Sequence, residues 1–314
     1  MLKIKKLFLY ELIILSCTSC TFLLTGCRSY TDQQIEHHER LMILNDIKSM
    51  NKLGNLYFCK KDYTKSKEYF LKASLSGDND AMYKLALILL AEGNKEKAKI
   101  WLKKSIELGN SLAMLEMGLI YATEKKYTEA ENYFNQALAL NQNMSLLYLG
   151  VINRNLGKIK KAKEYFEKAI KLDISKALLD LGNIYLDENN TKKAKEYYKK
   201  AMAVGFKQAF VSLGNVYFRE GQVGEAKKYY KKAINLGVSA SFISLGELYR
   251  NAGNIQKAKK CYKKAIDLGI LEGFIGLGDL YRDAGNIEKA KKWYQKAADL
   301  GSEEAKEVLK KLKK

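Results

Sequence analysis

Residues 277–301 read LGDLYRDAGNIEKAKKWYQKAADLG, and the fold follows from how this stretch is punctuated. Leu277, Leu280 and Tyr281 recur at i, i+3 and i+4, the spacing that gathers apolar side chains on one face of an α-helix. Gly285-Asn286 breaks the pattern, glycine being the residue that most readily takes the turn after a helix end. Ala290, Trp293, Tyr294 and Ala297 resume it at i, i+3, i+4 and i+7, and Gly301 closes the stretch. The reading is two short helices, A and B, joined by a tight turn. Small residues at Gly278, Ala290 and Ala297 let them approach closely while the aromatics fill the space beside them.

The same unit recurs along the chain. Stepping by 32 from Leu53 gives Leu85, Met117, Leu149, Leu181, Leu213, Leu245, Leu277 and Leu309 without a gap. The next column is Gly54, Ala86, Gly118, Gly150, Gly182, Gly214, Gly246 and Gly278. A third, in helix B, is Phe70, Leu102, Phe134, Phe166, Tyr198, Tyr230, Tyr262 and Tyr294. Such a register predicts an all-α protein, an α-solenoid of eight helix-turn-helix repeats over residues 47–301. Residues 302–314 then form a capping helix, with Glu303 and Glu304 at its start and lysines at its end, as the helix dipole favours.

The order Leu-Gly-x-x-Tyr, Gly-x-x-x-x-Ala, aromatic, Ala resembles the tetratricopeptide repeat (TPR). The usual repeat is two residues longer. The missing two fall between units, where Ala265, Gly269, Gly273 and Leu277 are spaced by four, a joint similar to that of Sel-one-like repeats. The resemblance implies a helical scaffold whose ligands contact the A helices. It does not name a ligand, because the matching residues build the fold.

Composition narrows the function class. The 314 residues include 55 Lys and Arg, of which only six are Arg, against 35 Asp and Glu, and no proline. His37 and His38 are adjacent, so on a helix they point about 100° apart and do not converge on one metal. Cys59 and Cys261 fall in units one and seven, too far apart to be bonded to each other, and both read as packing residues. Neither a nucleophile-base arrangement nor a phosphate loop is present. The sequence points to no catalytic residue, no metal and no cofactor.

Three constellations remain. The first is a groove along the A helices, read from columns two before, two after and five after the repeated leucine. Its apolar part is Leu87, Leu90, Leu115, Leu119, Leu147 and Val151. Its polar part is Asn183, Asn215, Arg219, Glu247, Arg250, Asn251, Asp279, Arg282 and Asp283. A peptide or partner helix is the expected occupant. The alternative is that some of these aliphatics pack under the next repeat.

The second constellation is a lysine ladder on the B helices, Lys72, Lys104, Lys168, Lys200, Lys232, Lys264 and Lys296, joined by Lys67, Lys99, Lys163, Lys195, Lys227, Lys259 and Lys291. It reads either as solvated surface or as a face for anionic polymers or lipid headgroups. Nucleic acid is disfavoured, because such sites draw on arginine for bidentate and stacking contacts.

The third is an address. Lys3, Lys5 and Lys6 precede a short uncharged stretch, Leu12 to Gly26, as in a secretory signal. Leu24-Thr25-Gly26-Cys27 resembles the lipobox of bacterial lipoproteins. The resemblance implies a signal peptide over 1–26, a lipid-bearing Cys27 and a tether over 27–46. Ile14-Leu15-Ser16-Cys17 is a weaker competing box, and Glu11 opposes an uncleaved span from Leu7 to Leu24. Arg28 follows Cys27 where a retention signal would place aspartate, so an outer-membrane position is expected if two membranes are present. The expected function is a membrane-tethered, non-catalytic scaffold for proteins in the cell envelope. A surface or secreted factor binding envelope polymers or host molecules is the alternative.

Overall fold

The computed structural model describes residues 35, 37–40 and 46–312. The signal, the lipobox with Cys27, and Arg28 lie outside the described residues. Among those described, the structure is helical throughout, with no strand, and seventeen helices run from Ile47 to Lys311. The A helices are α1 (Ile47–Cys59), α3 (Asn79–Ala91), α5 (Ser111–Thr123), α7 (Ser145–Asn155), α9 (Ala177–Asp187), α11 (Gln208–Arg219), α13 (Ser241–Asn251) and α15 (Glu272–Asp283). The B helices are α2 (Tyr63–Leu75), α4 (Lys95–Glu107), α6 (Tyr127–Ala139), α8 (Ile159–Lys171), α10 (Thr191–Ala203), α12 (Val223–Asn235), α14 (Ile255–Asp267) and α16 (Ile287–Asp299). The last helix is α17 (Glu303–Lys311). Two compact units, residues 1–165 and 166–314, divide the chain within α8.

In the seven repeats that lie whole within one unit the A helix packs on its own B helix, and inside a unit a B helix packs on the next A helix. The turns follow the Gly-Asn signal. Gly285 has φ 74°, a left-handed conformation that costs glycine nothing, and the N–H of Asn286 donates to the Tyr281 carbonyl at 2.8 Å. The Asn286 side chain then caps α16 by accepting from the N–H of Lys289 at 3.1 Å.

The core lies between helices A and B. The leucine column is buried from Leu53 through Leu277. The glycine column explains itself by contact: a Cβ on Gly54, Gly118, Gly182, Gly214, Gly246 or Gly278 would meet the ring of Phe70, Phe134, Tyr198, Tyr230, Tyr262 or Tyr294 at 2.5–2.6 Å. In the second repeat the same space is shared differently, Ala86 standing across from Leu102 with both fully buried. At the end of the second unit, Val308, Leu309 and Leu312 of α17 and its flank pack on Ala290, Tyr294 and Ala297.

Successive repeats are also joined by charge. Lys67 pairs with Glu92, Lys195 with Glu220, and Glu124 takes both Lys95 and Lys99 at 2.8 Å. In each case a lysine of a B helix reaches the residue that ends the next A helix. The lysines hold the Glu124 carboxyl down at about 2. A depressed folded value gives stability that is present above the ordinary 4.5 and is lost as pH falls toward 2. Glu124→Gln is therefore expected to lower the melting temperature at pH 7, the gap to the parent closing between about pH 5 and 2. A gap that persisted at pH 2 would contradict this.

Candidate functional site

Adjacent A helices touch one another, α1 with α3 in the first unit and α11 with α13 and α13 with α15 in the second. No two B helices of a unit come into comparable contact. Where adjacent A helices touch, the A side is the more closely packed side of the stack, and the side chains it presents are called the floor below.

In the first unit the six apolar candidates divide. Leu87, Leu115 and Leu147 are 6%, 3% and 1% exposed and belong to the core, so the groove reading does not hold for them as surface groups. Leu90, Leu119 and Val151 are half-buried and remain on the floor.

In the second unit the polar candidates have specific partners. The Tyr198 hydroxyl donates to Asn183 Oδ1 at 2.6 Å, that of Tyr230 to Asn215 Oδ1 at 2.7 Å, and that of Tyr294 to Asp279 Oδ1 at 2.6 Å. Each is a rung between an A helix and its own B helix. Burial pushes all three phenols up, since an ionised ring would lose its water. In the second and third repeats the same rungs close without polar atoms, Leu119 standing in the Asn215 position of the third and Phe134 in that of Tyr230, whereas the first repeat keeps Asn55 opposite Phe70. The coupling is visible in the columns themselves, where tyrosine in helix B goes with Asn, Glu or Asp two after the leucine. Reading the columns one at a time misses it.

Arg250 and Arg282 join α13 to α15. Arg250 donates from Nε to Asp283 at 2.7 Å and from Nη1 to Asp279 at 3.0 Å, and Arg282 Nη2 lies 3.0 Å from the other Asp279 oxygen. Arg219 and Asn251 are exposed. Glu247 is exposed too, yet desolvation holds its carboxyl above the ordinary range, Arg250 opposing and Asp279 adding to the effect.

Much of the lysine ladder is engaged. Besides the ion pairs, Lys195 lies 4.4 Å from the Tyr217 ring centre, Lys104 4.6 Å from that of Trp101 and Lys296 4.4 Å from that of Trp293. Exposed contacts of this kind contribute about 0.5–1 kcal/mol each. Lys99 over Tyr121, Lys200 over Tyr197 and Lys195 over Tyr217 each cover one ring of the stacked pairs Tyr121–Tyr133, Tyr185–Tyr197 and Tyr217–Tyr229.

Cys261 is free and buried, and burial raises its thiol. Cys59, at the end of α1, is half-buried. His38 Nδ1 is 3.2 Å from Ser49 Oγ. Among the described residues no group of three His, Cys, Asp or Glu is placed to hold a metal, and no helix is long and apolar enough to cross a membrane.

Comparison with known proteins follows the same lines. Tetratricopeptide repeat models match residues 47–74, 80–108, 112–144, 144–174, 175–204, 208–236 and 239–268. A Sel1 repeat model matches residues 273–302. No curated protein matches the chain in sequence. Among solved structures the chain is similar to c5321, a protective antigen present in uropathogenic Escherichia coli strains that displays an SLR fold. That match has TM-score 0.57 and 22% identity, covering 88% of this chain and 66% of that one. It is similar to yeast Tom70 at TM-score 0.63 and 22% identity, over 85% and 64% of the two chains. A Sel1 repeat protein from Oxalobacter formigenes aligns over 92% of this chain and 93% of its own, with TM-score 0.56 and 20% identity. The chain spans just under two thirds of the first two structures. All three show the same helical-repeat fold.

Proposed function

Because the chain belongs to the tetratricopeptide repeat family, we propose that it is a non-catalytic interaction scaffold that binds a polypeptide on its A-helix floor and is held at a bacterial membrane by lipid on Cys27. The observation that carries the binding half is the floor itself. Half-buried apolar groups at Leu90, Leu119 and Val151 in the first unit, and exposed polar groups at Glu247 and Asn251 in the second, are presented on A helices. A scaffold of this kind needs no reacting group, only a fixed array of side chains. Crosslinking the mature chain in its native envelope is expected to attach polypeptide partners, and attachment of none would contradict the reading.

The tether rests on Leu24-Thr25-Gly26-Cys27. Acyl chains on a cysteine bury CH₂ groups worth about 0.8 kcal/mol each, and two or more chains hold a soluble domain on a bilayer. Arg28, where a retention signal would carry aspartate, supports an outer-membrane position if the envelope has two membranes. Cys27→Ser is expected to abolish incorporation of labelled palmitate and to release the protein from the membrane fraction. Equal labelling of parent and variant would remove the tether.

A further inference from the structure

In the second unit the solvent side of the B helices carries far more positive charge than the protein itself neutralises. Helices α10, α12, α14 and α16 hold eighteen lysines and five acidic residues, a net +13. Fourteen of those lysines are exposed, against four exposed acids, Glu196, Asp267, Glu288 and Asp299. Among the exposed lysines, Lys200 pairs with Glu196 and Lys228 with Glu225. Lys199, Lys231, Lys232 and Lys263 have no ion pair among the described residues.

Exposed aliphatics accompany the charge. Val204, Leu236, Leu268 and Leu300 cap the C-termini of the four helices and are 39–64% exposed, outside the core. Each shares a helix face, at i, i+3 and i+7, with a lysine and the residue three before that lysine. The sets are Tyr197, Lys200 and Val204, then Tyr229, Lys232 and Leu236, then Trp293, Lys296 and Leu300. In α14 Cys261 takes the place of the aromatic ring beside Lys264 and Leu268. Lys200 and Lys296 lie 5.0 Å and 4.4 Å from the ring centres of Tyr197 and Trp293, and both rings are half-buried. Asp267 and Asp299 directly precede Leu268 and Leu300, so the basic character is strongest on α10 and α12.

We propose that this B-helix face of the second unit docks on an anionic lipid bilayer. The ammonium groups meet headgroup phosphates, and the aliphatic residues enter the boundary between headgroups and acyl chains, with the aromatic rings beside them at the same level. Lysine suits the role because its long apolar stem lies along the boundary while its charge stays in water. A soluble polyanion would use the lysines but gain nothing from exposed leucine. A second copy of this chain would bring the same positive charge to the same face, which opposes pairing there. The inference does not depend on the lipid at Cys27, and a bilayer on the B side leaves the A-helix floor open to a polypeptide.

The test is co-sedimentation of the chain from residue 27 onward, carrying Cys27→Ser so that no lipid is attached, with vesicles of phosphatidylglycerol and phosphatidylcholine in equal parts. Binding is expected to these vesicles and not to phosphatidylcholine alone, and to weaken as salt rises. Lys199→Gln, Lys231→Gln, Lys232→Gln and Lys263→Gln together are expected to weaken it about a hundredfold or more, with an unchanged melting temperature because all four are exposed. Val204→Ser with Leu236→Ser is expected to weaken vesicle binding about tenfold and to leave retention by soluble polyphosphate unchanged. Failure to bind the anionic vesicles, or equal binding by parent and lysine variant, would overturn the proposal. Binding that the lysine variant loses and the serine pair keeps in full would also overturn it, by assigning the face to a soluble polyanion.

Discussion

Gly214→Ala is expected to destabilise the second unit by about 1–2 kcal/mol, although alanine is the better helix former by about 1 kcal/mol. The reason is contact. A Cβ at Gly214 would lie 2.6 Å from Cε1 and 2.7 Å from Cδ1 of Tyr230, whose ring is 1% exposed and has nowhere to retreat. Overpacking of this kind costs about 1–3 kcal/mol, enough to reverse the gain in propensity. Gly224, on the outer side of α12, has nothing within 4 Å of its Cβ position. Gly224→Ala is accordingly expected to stabilise by about 0.5–1 kcal/mol. The second repeat supplies the compensation, since Ala86 is accommodated there across from Leu102. Tyr230→Leu added to Gly214→Ala should return part of what the alanine removes. Denaturant unfolding of the three variants checks the signs. Two glycine replacements that shift stability in the same direction would contradict the packing account.

Asn215→Leu is expected to cost about 1–3 kcal/mol by leaving the buried Tyr230 hydroxyl without its acceptor. Tyr230→Phe removes the same bond from the other side and leaves only an exposed amide, which water satisfies, so it costs less. The double replacement recreates the Leu119 and Phe134 rung of the third repeat, where nothing polar is present to be orphaned. It should therefore be more stable than Asn215→Leu alone. A double-mutant cycle measures this directly, and strictly additive effects would show that the hydroxyl and amide are not coupled.

These rungs show what a single sequence reveals and what it withholds. The period of 32 made the helix pairs, their turns and the Leu, Gly and aromatic columns readable, because each column repeats one packing contact. The same columns did not separate surface from core at Leu115 or Leu147: an aliphatic residue two before the leucine satisfies helical spacing whether it lines a floor or packs under a neighbour. Only the approach of adjacent helices decides. The lysine staples were hidden for a related reason. Lys67 and Glu92, or Lys99 and Glu124, are 25 residues apart and meet only once two repeats are stacked. Asn183, Asn215 and Asp279 read as groove groups from spacing, yet their first partners are the tyrosines of their own repeats.

The most direct measurement is position-specific photocrosslinking in the native envelope, with the photoreactive side chain placed in turn at Asn251 on an A helix and at Lys263 on a B helix, both exposed. The scaffold account predicts a defined polypeptide adduct from Asn251 and none of that identity from Lys263. Adducts from Lys263 with none from Asn251 would contradict it.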